Sequence, residues 1–136
     1  MDVPFLIGRI LFGGYFLYSG VNHFVSAPML AQYAAAKGVP APELAVVLSG
    51  LLLLVGGASV LIGFWPHIGV WCIVAFLVIV SPVMHNFWTI ADPGQRVAEM
   101  INFTKNIALV GGSLTMLGVP RPWPYSLERA RSATAA

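Results

Sequence analysis

The sequence predicts an all-α integral membrane protein, a four-helix bundle of two pseudo-symmetric helical hairpins with a short interfacial helix. Of its 136 residues, 58% are hydrophobic and only 9% are charged, whereas soluble domains carry about 25% charged residues. So few charges cannot cover a water-soluble fold. Apolar stretches of about 20 residues, the length that crosses roughly 30 Å of hydrocarbon, take up most of the chain and leave little for a soluble catalytic domain.

The first span is predicted over residues 4–24, because Pro4 suits a helix start, where its missing N–H costs nothing. A cleaved signal peptide is the alternative, since Val25-Ser26-Ala27 has the small-residue spacing of a cleavage site. The segment has no basic region at its start and carries Arg9 within its apolar stretch. We therefore interpret it as a retained transmembrane helix.

The next elements follow from helix start and stop signals. A short interfacial helix is predicted over residues 27–37, because good helix formers end there at Gly38-Val39-Pro40, a stop signal. The second span is predicted over 43–64. A tight turn at Trp65-Pro66-His67 then leads into the third span, predicted over 68–88.

The fourth span is predicted over residues 97–119, after a loop at Asp92-Pro93-Gly94. Its first half is polar, and those groups must face protein or a wet cavity rather than lipid. Residues 1–119 thus form one transmembrane domain, followed by a polar, loosely ordered tail over 120–136. Aromatic residues at the predicted span ends are expected to form interfacial belts: Trp65, Trp88, Trp123 and Tyr125.

Basic residues are divided almost evenly between the two predicted membrane faces. The face that holds both termini carries four of them and the other face three: Arg9, Arg121, Arg129 and Arg131 against Lys37, Arg96 and Lys105. The positive-inside rule therefore favours cytoplasmic termini. The basic residues form no stripe of the kind that nucleic-acid binding requires, so nucleic acid is excluded as a partner.

Three isolated residues have simple interpretations. Arg9 is expected to be an interfacial anchor or a packing partner, and His67 to be solvated in its turn. A single cysteine, Cys72, allows no intramolecular disulfide and no Cys-x-x-Cys redox pair. It lies in an apolar run and is interpreted as a small buried hydrophobe.

Two pairs of similar segments indicate an internal repeat. Leu54-Val55-Gly56-Gly57 in the second span recurs as Leu109-Val110-Gly111-Gly112 in the fourth, and the segment before His23 resembles the segment before His85. These pairs predict two hairpins related by a pseudo-two-fold axis along the membrane normal. Chance in a composition rich in glycine and leucine is the competing explanation. In either case, small residues allow membrane helices to approach closely.

Polar residues from three spans are predicted to converge at one membrane face. The end of the first span carries His23, the end of the third carries His85, and the start of the fourth lies beside them, so these two histidines are the candidate catalytic residues. Ser19 and Ser81 each lie one turn earlier, where their hydroxyls could orient the imidazoles. The candidate ligand-binding residues are Ser19, Asn22, Ser81, Trp88, Glu99, Asn102, Lys105 and Asn106.

A pocket that is apolar below and polar at its mouth suits an amphipathic ligand, and a quinone is the leading candidate. A polar cap that only ties the helices together is the simpler alternative. Zinc takes three or four ligands, so no metal is expected. A haem with two axial histidines remains a weaker alternative, and a Ser/His/Asp hydrolase has no nucleophile elbow here.

Several short motifs occur in one order along the four predicted spans: Gly8-Arg9-Ile10 with Gly13 and Gly20, Tyr33 through Gly38-Val39-Pro40, Gly50 with Gly56-Gly57, Met84-His85-Asn86-Phe87-Trp88, and Lys105-Asn106 with Gly111-Gly112. In this order and spacing they resemble the DoxX family of small bacterial membrane proteins, over roughly residues 5–118. The sequence departs from the commoner family pattern at Asn22-His23, near a position that often holds lysine. This departure puts a direct transfer of substrate in doubt.

The resemblance implies a four-helix protein of the bacterial inner membrane, related to the membrane subunit of an archaeal thiosulfate:quinone oxidoreductase. It also implies a relation to oxidoreductase complexes linked to thiol and oxidative stress. Fold does not imply function, however, so the chemistry rests on the site.

The leading functional hypothesis is a membrane subunit of a quinone-linked oxidoreductase. His23 and His85 would bind the quinone oxygens and exchange protons, while Lys105 and its neighbours position the head group. The chain shows no flavin or iron–sulfur motif, so the electrons must come from a redox partner subunit. The alternative is a non-catalytic accessory or assembly subunit that binds a larger membrane complex through glycine-rich helix faces.

Overall fold

The computed structural model describes residues 2–134, and every regular element in that part of the chain is helical. The all-α prediction is therefore confirmed. The helices are α1 (Asp2–Val25), α2 (Ala27–Ala36), α3 (Pro42–Ile62), α4 (Pro66–Met84), α5 (Pro93–Met116) and α6 (Leu127–Thr134), with a short 3₁₀ helix at Phe87–Thr89.

Three segments among residues 2–134 are long and apolar enough to cross a membrane: α1, α3 and Pro66–Thr89. Helix α5 has 24 residues, which is long enough, but charged side chains in its first half lower its hydropathy. The structure thus confirms three of the four predicted spans as apolar helices. Helix α2 is the predicted short helix between the first two.

Proline and glycine set most of the helix boundaries. Helices α3, α4 and α5 each begin with a proline in their first turn, where its fixed φ suits a helix and its missing N–H costs nothing. Helix α3 ends at Gly63, which adopts a φ of 66°, a conformation that favours glycine. Helix α4 ends two residues after Pro82, so the third span is helical over a shorter range than predicted.

The long helices pack in the order α1, α3, α4 and α5, while α2 lies on α3. Glycine permits the closest of these contacts. A Cβ at Gly57 would lie 2.3 Å from the backbone nitrogen of Leu17 on α1, and a Cβ at Gly13 would lie 2.7 Å from that of Leu61 on α3. The backbones of α1 and α3 are therefore in direct contact, as close glycine packing in membranes predicts.

The repeated glycine pairs occupy different surroundings. Gly56 packs against Ile73 of α4, and its neighbour Gly57 packs against α1. By contrast, no atom of another element within residues 2–134 lies within 4 Å of a Cβ built at Gly111 or Gly112. Neighbouring pairs α1/α3 and α4/α5 agree with the predicted two hairpins. The second glycine pair does not share the packing role of the first.

The segment after α5 differs from the loosely ordered tail that was expected. Arg9 is only 2% exposed, and its guanidinium donates to the backbone carbonyls of Pro124 at 2.9 Å and Tyr125 at 2.7 Å. Trp123 is 0% exposed and packs edge-on against Phe5. Arg9 is therefore a packing partner, and the prediction of an interfacial role for Trp123 is wrong.

The other predicted belt residues, Trp65, Trp88 and Tyr125, are each more than half exposed. His67 is not solvated as expected. Its ring lies beside Trp123, and its Nε2 is buried without a partner within residues 2–134. His67 Nε2 is buried because the chain after α5 places the buried Trp123 ring beside it.

Candidate functional site

A cavity of about 170 Å³ lies between α1, α4 and α5. Helices α1 and α5 are not among the extensively packed helix pairs, so the cavity between them is not filled by an extensive helix contact. Its lining combines apolar and aromatic residues with a group of polar ones: Tyr15, Phe16, Ser19, Phe76, Leu77, Val80, His85, Asn102, Lys105, Asn106 and Leu109.

Asn106 is the most deeply buried polar residue of this lining, at 8% exposed. The side-chain hydrogen bonds within residues 2–134 include none to its amide. Asn106 lines the cavity, and among residues 2–134 its amide is not one of the fully buried side-chain groups that lack a hydrogen-bond partner. Its donor and acceptor are therefore accessible from the cavity.

Asn102, one turn before Asn106, and Lys105, the residue next to Asn106, also line the cavity. The Lys105 Nζ donates to Asn102 Oδ1 at 3.2 Å. Residues four apart share one face of a helix, so the sequence spacing accounts for the grouping of Asn102 with Asn106, and the hydrogen bond to Asn102 holds the Lys105 ammonium group beside them.

His85 enters the cavity from the end of α4. Its backbone N–H donates to the Ser81 carbonyl at 3.0 Å, and its Nδ1 lies 2.6 Å from Oε2 of Glu99. An ionised carboxylate can only accept, so Nδ1 carries the hydrogen and Nε2 remains available. The Glu99 carboxylate thereby fixes the orientation of a ring that also lines the cavity.

Helix α2 contributes residues to this end that the sequence pattern did not indicate. Lys37 Nζ donates to Asn86 Oδ1 at 3.1 Å, and its charge also acts on Glu99. Burial, and then the charge of Glu99 and a hydrogen bond to it, raise the pKa of Tyr33 above its ordinary value. Tyr33 and Asn86 occur in the motifs that resemble the DoxX family, and those motifs were the sequence signal by which these residues could have been found.

His23 lies outside the cavity lining. Its Nδ1 donates to the backbone carbonyl of Ser19 at 2.8 Å, and its ring meets Phe76 edge-on at 5.9 Å between centroids. Since Phe76 lines the cavity, His23 packs behind the wall. The structure therefore brings His85, and not the expected pair of histidines, to the cavity.

The expectation that serine hydroxyls orient the imidazoles is wrong. The Ser81 hydroxyl donates to the Leu77 carbonyl, and His23 uses the backbone carbonyl rather than the hydroxyl of Ser19. A helical serine commonly bonds to the carbonyl one turn before it. Its hydroxyl is then engaged on the side away from a histidine one turn later.

Asn22 and Trp88, two further candidates, also lie outside the cavity lining. Asn22 Oδ1 accepts a hydrogen bond from the Ser26 hydroxyl at 3.1 Å. Trp88 packs edge-on against Phe87 and Phe103. Both side chains have partners of their own near the site without reaching the cavity.

Within residues 2–134, no group of three or more His, Cys, Asp or Glu side chains could hold a metal ion. His85 and Glu99 supply two such groups, which is fewer than a zinc site takes from a protein. The arrangement offers hydrogen-bond donors and a titratable pair instead.

Comparison with known proteins shows to which family the chain belongs. The DoxX family matches residues 5–86, which is more than half of the chain and includes α1 to α4 and His85. The chain belongs to the DoxX family. This DoxX protein therefore carries one wall of its cavity within the matched segment and the other on α5, beyond it.

The DoxX protein is also similar to the inner membrane protein YphA of Escherichia coli (strain K12). The two are 27% identical over 128 residues, which cover 93% of this chain and 89% of YphA. A share this large includes α5 and thus all three helices that line the cavity. No solved structure matches the chain. Its apolar helices and its inner-membrane relative make it a membrane protein of the bacterial inner membrane.

Proposed function

We propose that this DoxX protein is a membrane subunit of a quinone-linked oxidoreductase and that its cavity binds the quinone head group. The observation that carries the proposal is Asn106, a residue that is 8% exposed and whose amide lines the cavity. A quinone carbonyl oxygen would accept a hydrogen bond from this amide.

The proposal includes α5 as a fourth span. At 1.5 Å per residue, its 24 residues extend about 36 Å, more than the roughly 30 Å of hydrocarbon. Its polar residues Asn102, Lys105 and Asn106 line the cavity, which is where polar groups inside a membrane belong. Four spans put both termini on one side, and the basic residues there favour the cytoplasm.

The chemistry of the cavity fits a quinone better than a fully polar ligand. Phe16, Leu77 and Leu109 offer apolar surface to a flat ring, while Asn106 and Lys105 offer donors to its oxygens. Because α1 and α5 are not extensively packed together, we propose that an isoprenoid tail passes between them into lipid. Binding pockets for such ligands are mostly apolar, with a few placed polar groups.

Reduction of a quinone to a quinol takes two electrons and two protons. In the proposed site, a protonated His85 ring would give one proton from Nε2 to a quinone oxygen and keep its Nδ1 hydrogen bond to Glu99. Water at the α2 surface, near Lys37 and Tyr33, would reprotonate the ring, which would then supply the second proton. His23 does not take part, in contrast to the sequence-based hypothesis.

The electrons come from a partner subunit. A single cysteine cannot supply the several thiolates that hold an iron–sulfur cluster, so the donor centre lies on another chain. A flavin or iron–sulfur protein docked on the bundle is the class of partner that this chemistry requires.

The test compares two histidine variants by mass spectrometry of quinones that co-purify in mild detergent. His85→Ala should lose bound quinone, and the matched control His23→Ala, whose ring lies behind the wall, should retain it. A quinone retained by both variants, or absent from the unmodified protein, contradicts the proposal. An optical spectrum of the same samples would reveal a haem.

The second candidate function is an accessory subunit without a ligand of its own. The observation in its favour is the open face of α5, where nothing lies within 4 Å of a Cβ at Gly111 or Gly112. Small residues on an exposed membrane helix permit close docking of another helix. Loss of a larger complex from Gly111→Leu/Gly112→Leu, with no quinone in the unmodified protein, would favour this function.

A further inference from the structure

A second surface, independent of the cavity, lies at the end of the bundle that holds both termini. It is formed by α6, the segment before it and the turn between α3 and α4. We call it the arginine face and define it by three arginines and three exposed apolar or aromatic side chains: Arg121, Arg129, Arg131, Trp65, Tyr125 and Leu127.

The arginine face is held in place by contacts to the bundle. The backbone N–H of Glu128 donates to the Gly63 carbonyl. The guanidinium of Arg131 lies over the Phe64 ring at 5.4 Å, and Phe64 stacks on Trp65 at 5.3 Å with an interplanar angle of 11°. The buried Arg9 holds the backbone just before α6. Helix α6 is therefore docked on the α3–α4 turn.

The charge of this face is unbalanced. Glu128 pairs with Arg121, and the other acidic residue at this end is Asp2, at the start of α1. Within residues 2–134, neither Arg129 nor Arg131 forms an ion pair with a carboxylate. Two guanidiniums are thus available to an anionic partner.

Exposed apolar side chains lie beside these guanidiniums. Trp65 is 56% exposed, Tyr125 is 63% exposed and Leu127 is 45% exposed. Trp and Tyr favour the head-group level of a bilayer, where one end of the ring is apolar and the other wet. Trp65 and Tyr125 lie beside the ends of candidate membrane spans, where we place the lipid head groups.

We propose that the arginine face binds anionic phospholipid head groups. Guanidinium groups bind phosphate oxygens through two parallel hydrogen bonds, and basic groups at the ends of membrane helices attract acidic lipids. The combination of unpaired arginines with exposed aromatic rings at one bilayer depth fits a lipid head group. The site does not depend on whether the cavity binds a quinone.

The experiment measures lipid retention on the full chain by native mass spectrometry. Protein in detergent is titrated with phosphatidylglycerol, with phosphatidylcholine of the same acyl chains, and with inorganic phosphate. Arg129→Gln/Arg131→Gln is compared with Arg96→Gln, an exposed arginine at the opposite end of the bundle. All variants are first checked for an unchanged unfolding temperature.

The unmodified protein should retain phosphatidylglycerol in preference to phosphatidylcholine. The double variant should bind it about 25-fold more weakly, at about fivefold for each arginine, while Arg96→Gln binds it normally. Equal retention of the two lipids would overturn the proposal, as would equal losses in both variants. Displacement of the lipid by low concentrations of inorganic phosphate would show a free-anion site and would also overturn it.

Discussion

Arg9 and Asn106 are both buried polar residues, but Arg9 is hydrogen-bonded to the backbone, whereas Asn106 lines a cavity. Arg9 donates to two backbone carbonyls, those of Pro124 and Tyr125. Asn106 has a buried amide that meets a cavity. A polar group inside a membrane bundle is retained because it holds the fold or because it acts on a ligand. Arg9 fits the first case, and we propose the second for Asn106.

Arg9→Met should destabilise the protein strongly. It leaves the partly buried carbonyls of Pro124 and Tyr125 without their partner, at about 1–3 kcal/mol each, so we expect the free energy of unfolding to fall by about 2–6 kcal/mol. Denaturant unfolding in detergent measures the change. Arg96→Met is the matched control, because Arg96 also donates to a backbone carbonyl but is exposed. Equal effects of the two substitutions would contradict the structural role of Arg9.

The sequence indicated some of these residues and not others, for identifiable reasons. Helical spacing alone groups Asn102, Lys105 and Asn106, so their common position was predictable. The side to which His23 turns depends on its packing against α4, which no spacing within α1 reveals. Lys37 reaches the site only because of the turn that follows α2. Such contacts between distant elements are not visible in a single sequence.

At the scale of helices, contact between backbones decides where glycine is required. Gly57→Ala should destabilise the protein, because the added Cβ would lie 2.3 Å from the Leu17 nitrogen and separate α1 from α3. Gly112→Ala, with nothing within 4 Å, should be neutral or stabilising by up to about 1 kcal/mol through helix propensity. Thermal unfolding of the two variants measures this, and a reversed order would contradict the α1–α3 contact.

Helix α6 should become less firmly docked in acid. The hydrogen bond from Arg121 lowers the pKa of Glu128 below its ordinary range. A lowered carboxyl pKa contributes stability above the unfolded value of about 4.3, and the contribution is lost as pH falls through the lower folded value. Hydrogen exchange in α6, corrected for intrinsic rates, should therefore increase below about pH 4. Glu128→Gln should remove this pH dependence, and an unchanged profile would contradict it.

Helix boundaries were predictable where proline and glycine mark them. Helix α3 begins at Pro42 and ends at Ile62, close to the predicted 43–64. The third span was predicted to residue 88, but α4 ends at Met84, shortly after Pro82. Hydropathy extends through this boundary because Phe87 and Trp88 are also apolar. The apolar pattern indicates which residues can lie in lipid. It does not indicate where the hydrogen-bonded helix ends.

At the scale of the whole molecule, the helix order α1, α3, α4 and α5 creates the cavity. The outer helices α1 and α5 are not extensively packed together, and polar residues of α5 line the space between them. Close glycine contacts join α1 to α3 and α3 to α4. The sequence predicted four spans arranged as two hairpins. It did not predict which helices would lie at the two ends of the packing order.

The proposed fourth span would put both termini on the same side of the membrane. A fluorescent reporter fused after residue 134 should be active in the cytoplasm, and alkaline phosphatase inserted at residues 90–92, between the 3₁₀ helix and α5, should be active in the periplasm. A reporter at the amino terminus serves as the reference. Termini on opposite sides would mean that α5 does not cross the membrane.

Asn106→Leu provides the most direct test of the cavity as a quinone site. A short-chain quinone is titrated into the purified protein and into Asn106→Leu, with Asn22→Leu as the matched control outside the cavity lining. Loss of one hydrogen bond, worth about 1.4 kcal/mol, should weaken quinone binding by about tenfold in Asn106→Leu alone. Its ligand-free stability should be unchanged or higher. Unchanged quinone affinity together with a loss of stability would show that Asn106 serves the fold and would contradict the proposed site.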